Sequence, residues 1–117
     1  MLDTNIFIYL ANGLLKMQTI KNTDLAFSSI VKIEALGYAR ATVAEQSYLE
    51  ELFSECQQID LGETVLQRAI RLKQQKKMSL GDSIVAASAL EYDCELWTAN
   101  TKDFAHIEEL RIHNPLK

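Results

Sequence analysis

Met1-Leu2-Asp3-Thr4-Asn5-Ile6-Phe7-Ile8-Tyr9-Leu10 opens the chain. It sets a carboxylate, a hydroxyl and an amide directly before an unbroken apolar run. A carboxylate beside apolar residues is costly to bury unless something compensates it, and a metal ion is the usual compensation. Asp and Thr are also favoured at helix starts, where the first backbone N–H groups lack partners. The stretch therefore reads as a short strand ending at Asp3, then a helix reaching about Leu15. In parallel α/β sheets, sites form at such carboxyl ends of strands.

Working outward, Leu25-Ala26-Phe27-Ser28 reads as a short strand. Ser28 or Ser29 is placed to cap a helix from Ile30 to about Ala41, although Gly37 falls inside that pattern. Thr42 begins a third helix through Tyr48, Leu49, Leu52 and Phe53. Gln58-Ile59-Asp60-Leu61 is a second short strand. Val65, Leu66, Ala69, Ile70 and Leu72 recur at helical spacing. Asp82 to Leu90 is an alanine-rich helix, apolar on most sides. Glu95-Leu96-Trp97-Thr98-Ala99 is a strand, and Arg111-Ile112-His113 the last one. Short strands alternating with helices predict an α/β sandwich around a mostly parallel sheet.

The 117 residues are expected to form one domain, 1–117, with 48% apolar and 24% charged residues. No apolar run approaches a membrane span. No charged segment precedes an apolar one at the amino end, so no signal peptide is read and the cytoplasm is the expected address. Cys56 and Cys94 lack any metal or redox spacing and read as small buried apolar residues. His106 and His113 pair with no nucleophile and read as surface or edge residues.

The net charge of −4 argues against a protein that coats nucleic acid by charge alone. The distribution says more. Glu45, Glu50, Glu51, Glu55, Asp60 and Glu63 form an acidic block without Lys or Arg. Arg68, Arg71, Lys73, Lys76 and Lys77 follow without an acid. The basic strip is either a solvated helix face or a track for a phosphate backbone near a site.

Four acids stand in places that composition does not explain. Asp3 ends the first strand, Glu34 lies within Ile30-Val31-Lys32-Ile33-Glu34-Ala35-Leu36, Asp82 begins the alanine-rich helix, and Asp103 follows the Trp97 strand. Singly, each has a plainer reading: Asp3 and Asp82 as helix caps, Glu34 as a solvent-facing residue, Asp103 as a turn acid. Gathered in one cleft, they would raise one another's pKa values unless a cation were present. An all-oxygen set of this kind suits Mg²⁺ or Mn²⁺ and not zinc.

The segments LDTNIFIYL, SSIVKIEAL, SLGDSIVAASAL and TANTKDF, in this order and spacing, resemble the PIN-domain ribonucleases. The likeness is to the small single-domain toxins of the VapC type, and it covers nearly the whole chain. It implies a PIN-like three-layer α/β/α sandwich with a short mostly parallel sheet. It implies that Asp3, Glu34, Asp82 and Asp103 bind divalent metal, with Asn5, Thr98 and Asn100 supporting them by hydrogen bonds. Hydrolysis of an RNA phosphodiester with Mg²⁺ or Mn²⁺ follows, leaving a 5′-phosphate and a 3′-hydroxyl. On this reading Asp3 and Asp103 hold the principal ion, Asp82 shares it or holds a second, and Glu34 acts through water. The resemblance also implies a homodimer and a cognate antitoxin that blocks the site. Helices two and three, with Leu36, Tyr38, Tyr48, Leu52 and Phe53, are the expected docking surface unless those residues are core. Members of the family carry several residues before the LDTN segment. With only Met1 and Leu2 ahead of it here, Asp3 is expected to be loosely held, since an ordinary strand has about 5–6 residues.

Two other functions compete. A phospho-receiver domain is also a small α/β sandwich that binds Mg²⁺, but it needs paired acids at the first strand end. Asp3 is alone there, and Asp60 is the sole mid-chain acceptor. A PIN fold serving as a non-catalytic RNA-binding or protein-interaction module is the second, although all four acids are present.

Overall fold

The computed structural model describes residues 1–19 and 24–117. Helix α1 (Thr4–Asn12) starts directly after Asp3, whose Oδ1 accepts the Thr4 N–H at 2.8 Å. The helix ends short of Leu15 because Gly13 takes the left-handed conformation, φ 85°, at its carboxyl cap.

Strand β1 (Ala26–Ser28) pairs in parallel with β2 (Gln57–Ile59), and β3 (Leu96–Trp97) with β4 (Ile112–His113). The amino-terminal segment lies between the two pairs. Leu2 bridges Trp97 in parallel, and its N–H donates to Ala26 O at 2.9 Å on the other side. The Asp3 N–H donates to Trp97 O at 3.0 Å and the Trp97 N–H to Met1 O at 2.8 Å. The spatial order is therefore β2, β1, the Met1–Asp3 segment, β3, β4. This corrects the expectation that a short first strand would hold Asp3 loosely: backbone bonds grip the segment on both sides.

Helix α2 (Ser29–Leu36) follows β1 and stops at Gly37, not at Ala41. A Cβ on Gly37 would lie 2.6 Å from Ile33 O, so the chain turns where no side chain fits. Helix α3 (Val43–Glu55) opens with a reciprocal cap: the Glu45 N–H donates to Thr42 Oγ1 at 3.1 Å, and the Thr42 N–H to Glu45 Oε1 at 2.9 Å. Helix α4 (Glu63–Gln75) is apolar along one side only, burying Val65, Ala69 and Leu72 against α5 (Leu80–Glu91). In α5 every residue from Ser83 to Ala89 is buried, as the alanine-rich pattern predicts. Its cap is Ser79, so Asp82 stands inside the first turn and does not begin the helix.

The core fixes these elements to one another. Phe7 of α1, Phe27 of β1 and Phe53 of α3 cluster with ring centroids 4.3, 4.7 and 5.8 Å apart. Each is almost fully buried, worth about 1.5–3 kcal/mol per side chain. Leu2, Ile6 and Leu96 surround the central segment on the same terms. No described helix is long and apolar enough to cross a membrane. The α/β class and the parallel pairing agree with the sequence reading.

Candidate active site

The central segment carries Asp3 to the carboxyl end of the sheet, where it is 6% exposed. Both carboxylate oxygens are engaged. Oδ1 accepts the Thr4 N–H, and Oδ2 accepts the Thr98 hydroxyl at 2.8 Å. Thr98 follows β3 directly and is fully buried. Its Oγ1 also accepts the Asn100 N–H at 3.0 Å, so one hydroxyl locks Asp3 to the turn leading to Asp103.

Glu34 reaches the same region from α2, accepting the Thr4 hydroxyl at 2.7 Å. Gly81 makes room for it: a Cβ there would lie 2.8 Å from Glu34 Oε2. The Glu34 carboxylate therefore rests against the first turn of α5, one residue from Asp82. Asp82 is half-buried, and its N–H donates to Ser79 Oγ at 3.1 Å. Asp103 is exposed on a 3₁₀ turn, Thr101–Asp103.

Glu34 and Asp103 bear on Asp3 and on Asp82. Burial pushes the Asp3 carboxyl above its ordinary value; the Thr98 and Thr4 hydrogen bonds oppose this, and the charges of Glu34 and Asp103 add to it. Burial also raises Asp82, helped by the charges of Asp3, Asp103 and Glu34 and opposed by Ser79. None of the four joins an ion pair among the described residues. Asp60, the acceptor a receiver domain would need, lies outside this cluster and accepts the Gln58 amide at 2.7 Å.

The donor set is all oxygen and carries uncompensated negative charge, which suits a hard divalent cation. The side chains as they stand are not a finished cage. Among the described residues no three His, Cys, Asp or Glu side chains form a group able to hold an ion. Like charges without a counter-ion keep apart, and Thr4 and Thr98 hold Glu34 and Asp3 by their oxygens. Charge converges here more closely than coordination geometry does. Glu34 and Asp103 are the exposed members of the four.

The supporting residues differ. Thr98 touches Asp3 directly. Asn100 contributes its backbone N–H to Thr98, and its side chain lines a cleft beside Asp103. Asn5 is half-buried in the first turn of α1, and its side chain makes no hydrogen bond among the described residues.

The basic strip divides in the same way. Arg68 is paired with Glu91 at 2.8 Å, and the Lys73 ammonium donates to Met78 O at 2.8 Å. Arg71 is exposed. Lys76 and Lys77 instead line a cleft of about 430 Å³ with Ser79, Asp82, Lys102, Asp103 and His106. Sequence reading missed Lys102 and His106. Lys102 had a signal in its place beside Asp103. His106 had none: it is half-buried on the cleft wall, with both ring nitrogens buried and without a partner among the described residues. His113 is exposed on β4, beside the Trp97 ring. Trp97 is half-buried, donates its indole N–H to Glu95 and packs beside His113. Cys56 and Cys94 are free and half-buried.

On the expected docking helices, Leu52 and Phe53 are core, and Leu36 and Tyr48 are half-buried. The apolar side chains exposed on α2, on α3 and in the turn between them are Ile33, Tyr38 and Val43.

The family model for the PIN domain matches residues 1–110. A toxin–antitoxin complex from Klebsiella pneumoniae contains a chain 28% identical to this one, with TM-score 0.80, covering 97% of this chain and 95% of that one. VapBC2 from Rickettsia felis, bound to a DNA fragment from their promoter, aligns at 25% identity and TM-score 0.81, over 97% and 96%. VapBC-1 from nontypeable Haemophilus influenzae aligns at 27% identity and TM-score 0.79, over 99% and 97%. No curated protein sequence matches.

Proposed function

The chain belongs to the PIN-domain family, and on that premise we propose that it is a divalent-metal-dependent ribonuclease, the toxin of a toxin–antitoxin pair. What supports the reading is the electrostatic bearing of Asp3, Glu34, Asp82 and Asp103 on one region at the carboxyl end of the sheet. They come from four separate segments, the charges of Glu34 and Asp103 bear on both Asp3 and Asp82, and among the described residues none of the four has a cationic side chain paired to it. A structural cluster of acids in that position would cost stability with no return.

Asp3, Asp82 and Asp103 are the residues we assign to hold Mg²⁺ or Mn²⁺, with Glu34 beside them. When bound, such an ion activates water and offsets the charge that develops on a phosphodiester. The chain's own residues do the rest. Thr98 and the Thr4 N–H orient Asp3. Thr4 donates its hydroxyl to Glu34 and so fixes one of its oxygens, which would position a water. Lys76, Lys77 and Lys102 draw the RNA backbone into a cleft that its acids alone would repel. Arg68 and Lys73 have partners of their own and are left out of that role. Against a non-catalytic PIN module stands the presence of all four acids.

We place the antitoxin on the face of α2 and α3 that exposes Ile33, Tyr38 and Val43. The similar chains from Klebsiella, Rickettsia and Haemophilus come from toxin–antitoxin or VapBC complexes, which supports a protein partner. A homodimer and a cytoplasmic address belong to the same reading.

The test is cleavage of a labelled RNA pool with Mg²⁺, with Mn²⁺ and with EDTA, beside Asp82→Asn. Cleavage is expected with either metal and with neither EDTA nor the variant. Persistence in EDTA or in the variant removes the metal-nuclease reading.

A further inference from the structure

A second cleft, of about 270 Å³, adjoins the first and shares Lys102 and Asp103 with it. The shared residues stand on the 3₁₀ turn Thr101–Asp103, so the Asp103 carboxylate lies between the two spaces. Their chemistry differs. The first cleft has Lys76, Lys77 and Lys102, ammonium groups that hold phosphate without regard to sequence. The second adds Asn100, Thr101 and Asn114 to the shared Lys102 and to Lys117. Amides and hydroxyls are the groups that read base edges and ribose hydroxyls.

Asn114 is the built part of this second cleft. It directly follows β4, and its Oδ1 accepts the Leu116 N–H at 3.0 Å across Pro115. A backbone N–H can only donate, so the oxygen must face it, and this fixes which way the amide points. The NH₂ group remains as a donor. The Asn114 frame is also tied to the site. The Thr98 N–H donates to His113 O at 3.0 Å, and the Thr98 hydroxyl donates to Asp3. Hydrogen bonds therefore run from the Asp3 carboxylate, through Thr98, to the residue before Asn114.

We propose that Asn114 is a specificity-determining residue, whose donor amide selects the base beside the scissile phosphate of a single-stranded RNA. The proposal rests on the ribonuclease reading and adds to it the part of the site that chooses the nucleotide. A donor amide whose frame is tied to Asp3 through Thr98 favours a base edge that presents acceptors, such as the N7 and O6 of guanine. The corresponding edges of adenine and cytosine set an exocyclic amine beside an acceptor, so the donor finds fewer acceptors there than on the N7 and O6 edge of guanine.

The experiment uses the full chain, a randomised single-stranded RNA pool with Mn²⁺, and sequencing of the cut ends. The wild type should show a nucleotide preference of about 3- to 10-fold at one position flanking the cut, the scale of one or two hydrogen bonds. Asn114→Ala should flatten that position and leave the others. Asn114→Asp keeps an oxygen for the Leu116 N–H and replaces the donor by an acceptor, so the wild-type preference at that position should be lost or replaced by a different one. It also carries the test if Asn114→Ala fails to fold. A wild type that cuts without preference, or variants that keep the wild-type profile while cutting, overturn the assignment and leave the ribonuclease reading standing. A wild type that cuts no RNA in the pool with any divalent metal overturns both.

Discussion

Asp3 and Asp103 sit in the same site and are built in opposite ways. Asp3 lies in the middle of the sheet, 6% exposed, with both oxygens hydrogen-bonded and its backbone paired to Trp97. Asp103 stands exposed on a short 3₁₀ turn at the junction of two clefts. One carboxylate is a fixed reference, set by residues nearly a hundred positions apart in sequence. The other belongs to the surface that a substrate meets. A site that must hold a small ion and admit a long, flexible polymer needs both: a wall that does not move and a rim that adapts.

The largest expected effect separates the two by stability and not by activity. Asp3→Ala and Asp103→Ala should each lower RNA cleavage by more than the ~10–100-fold typical of losing an outer-shell partner. Only Asp3→Ala should also weaken the fold, because it strands the Thr4 N–H and the Thr98 hydroxyl. That loss is about 1–2 kcal/mol, after partial relief of a buried charge. Asp103→Ala should stay within about 0.5 kcal/mol of the wild type. Thermal melts beside cleavage rates decide it, and equal melting points for the two variants would end the contrast.

Thr98→Val tests the link that makes Asp3 rigid. Valine keeps the shape but removes the hydroxyl that serves both Asp3 and the Asn100 N–H. Cleavage is expected to fall about 10–100-fold, with about 1–3 kcal/mol lost from stability. Thr98→Ser should restore most of the activity, since the hydroxyl returns. A serine variant as poor as valine would mean that packing, and not the hydrogen bond, is what Thr98 supplies.

Much of this was legible in the sequence, and the reason differs between the two poles. The strand-to-helix junction at Asp3 shows itself because a polar triplet meets an apolar run. The buried α5 shows itself because alanine and valine leave it no polar face. Helix ends were harder. Gly13 and Gly37 end α1 and α2 for steric reasons that a hydrophobic pattern does not record. The basic strip was visible as composition, but its division was not. Whether Arg68 faces Glu91 or the cleft depends on how α4 lies across α5, a tertiary fact. His106 and Asn114 carried no local signal, because each matters only through the space it borders.

Asp82 lies between the two poles, half-buried, and its effect on stability depends on pH. Its carboxyl stands above the ordinary value of 3.8, through burial first and then the charge of Asp3. Between that ordinary value and the raised one, the folded protein binds more protons than the unfolded chain. Stability therefore falls as pH rises through that window and levels off above it. Asp82→Asn removes one source of this fall. In EDTA at neutral pH its melting temperature should exceed that of the wild type by roughly 1–3 °C, a small gain because the group is partly solvated. Added Mn²⁺ should reverse the order, since the wild type gains binding free energy that the variant lacks. A wild type more stable than Asp82→Asn in EDTA would contradict the like-charge account.

The smallest effect is expected at Arg68, and it sharpens the difference between the structural and the substrate-facing cations. Its pair with Glu91 joins α4 to α5 at a partly exposed position, so Arg68→Ala should cost no more than about 1 kcal/mol. It should leave RNA binding alone. Lys76→Ala with Lys77→Ala should weaken binding of a single-stranded RNA similarly for all sequences. The same pair should reduce the salt slope of log K by about 1.4, at roughly 0.7 for each phosphate left without its lysine. The measurement is RNA binding by the cleavage-silent Asp103→Ala protein across a salt series. An Arg68 variant that changes the slope as much as the lysine pair would show that the phosphate path runs along α4 and not through the cleft beside Asp82.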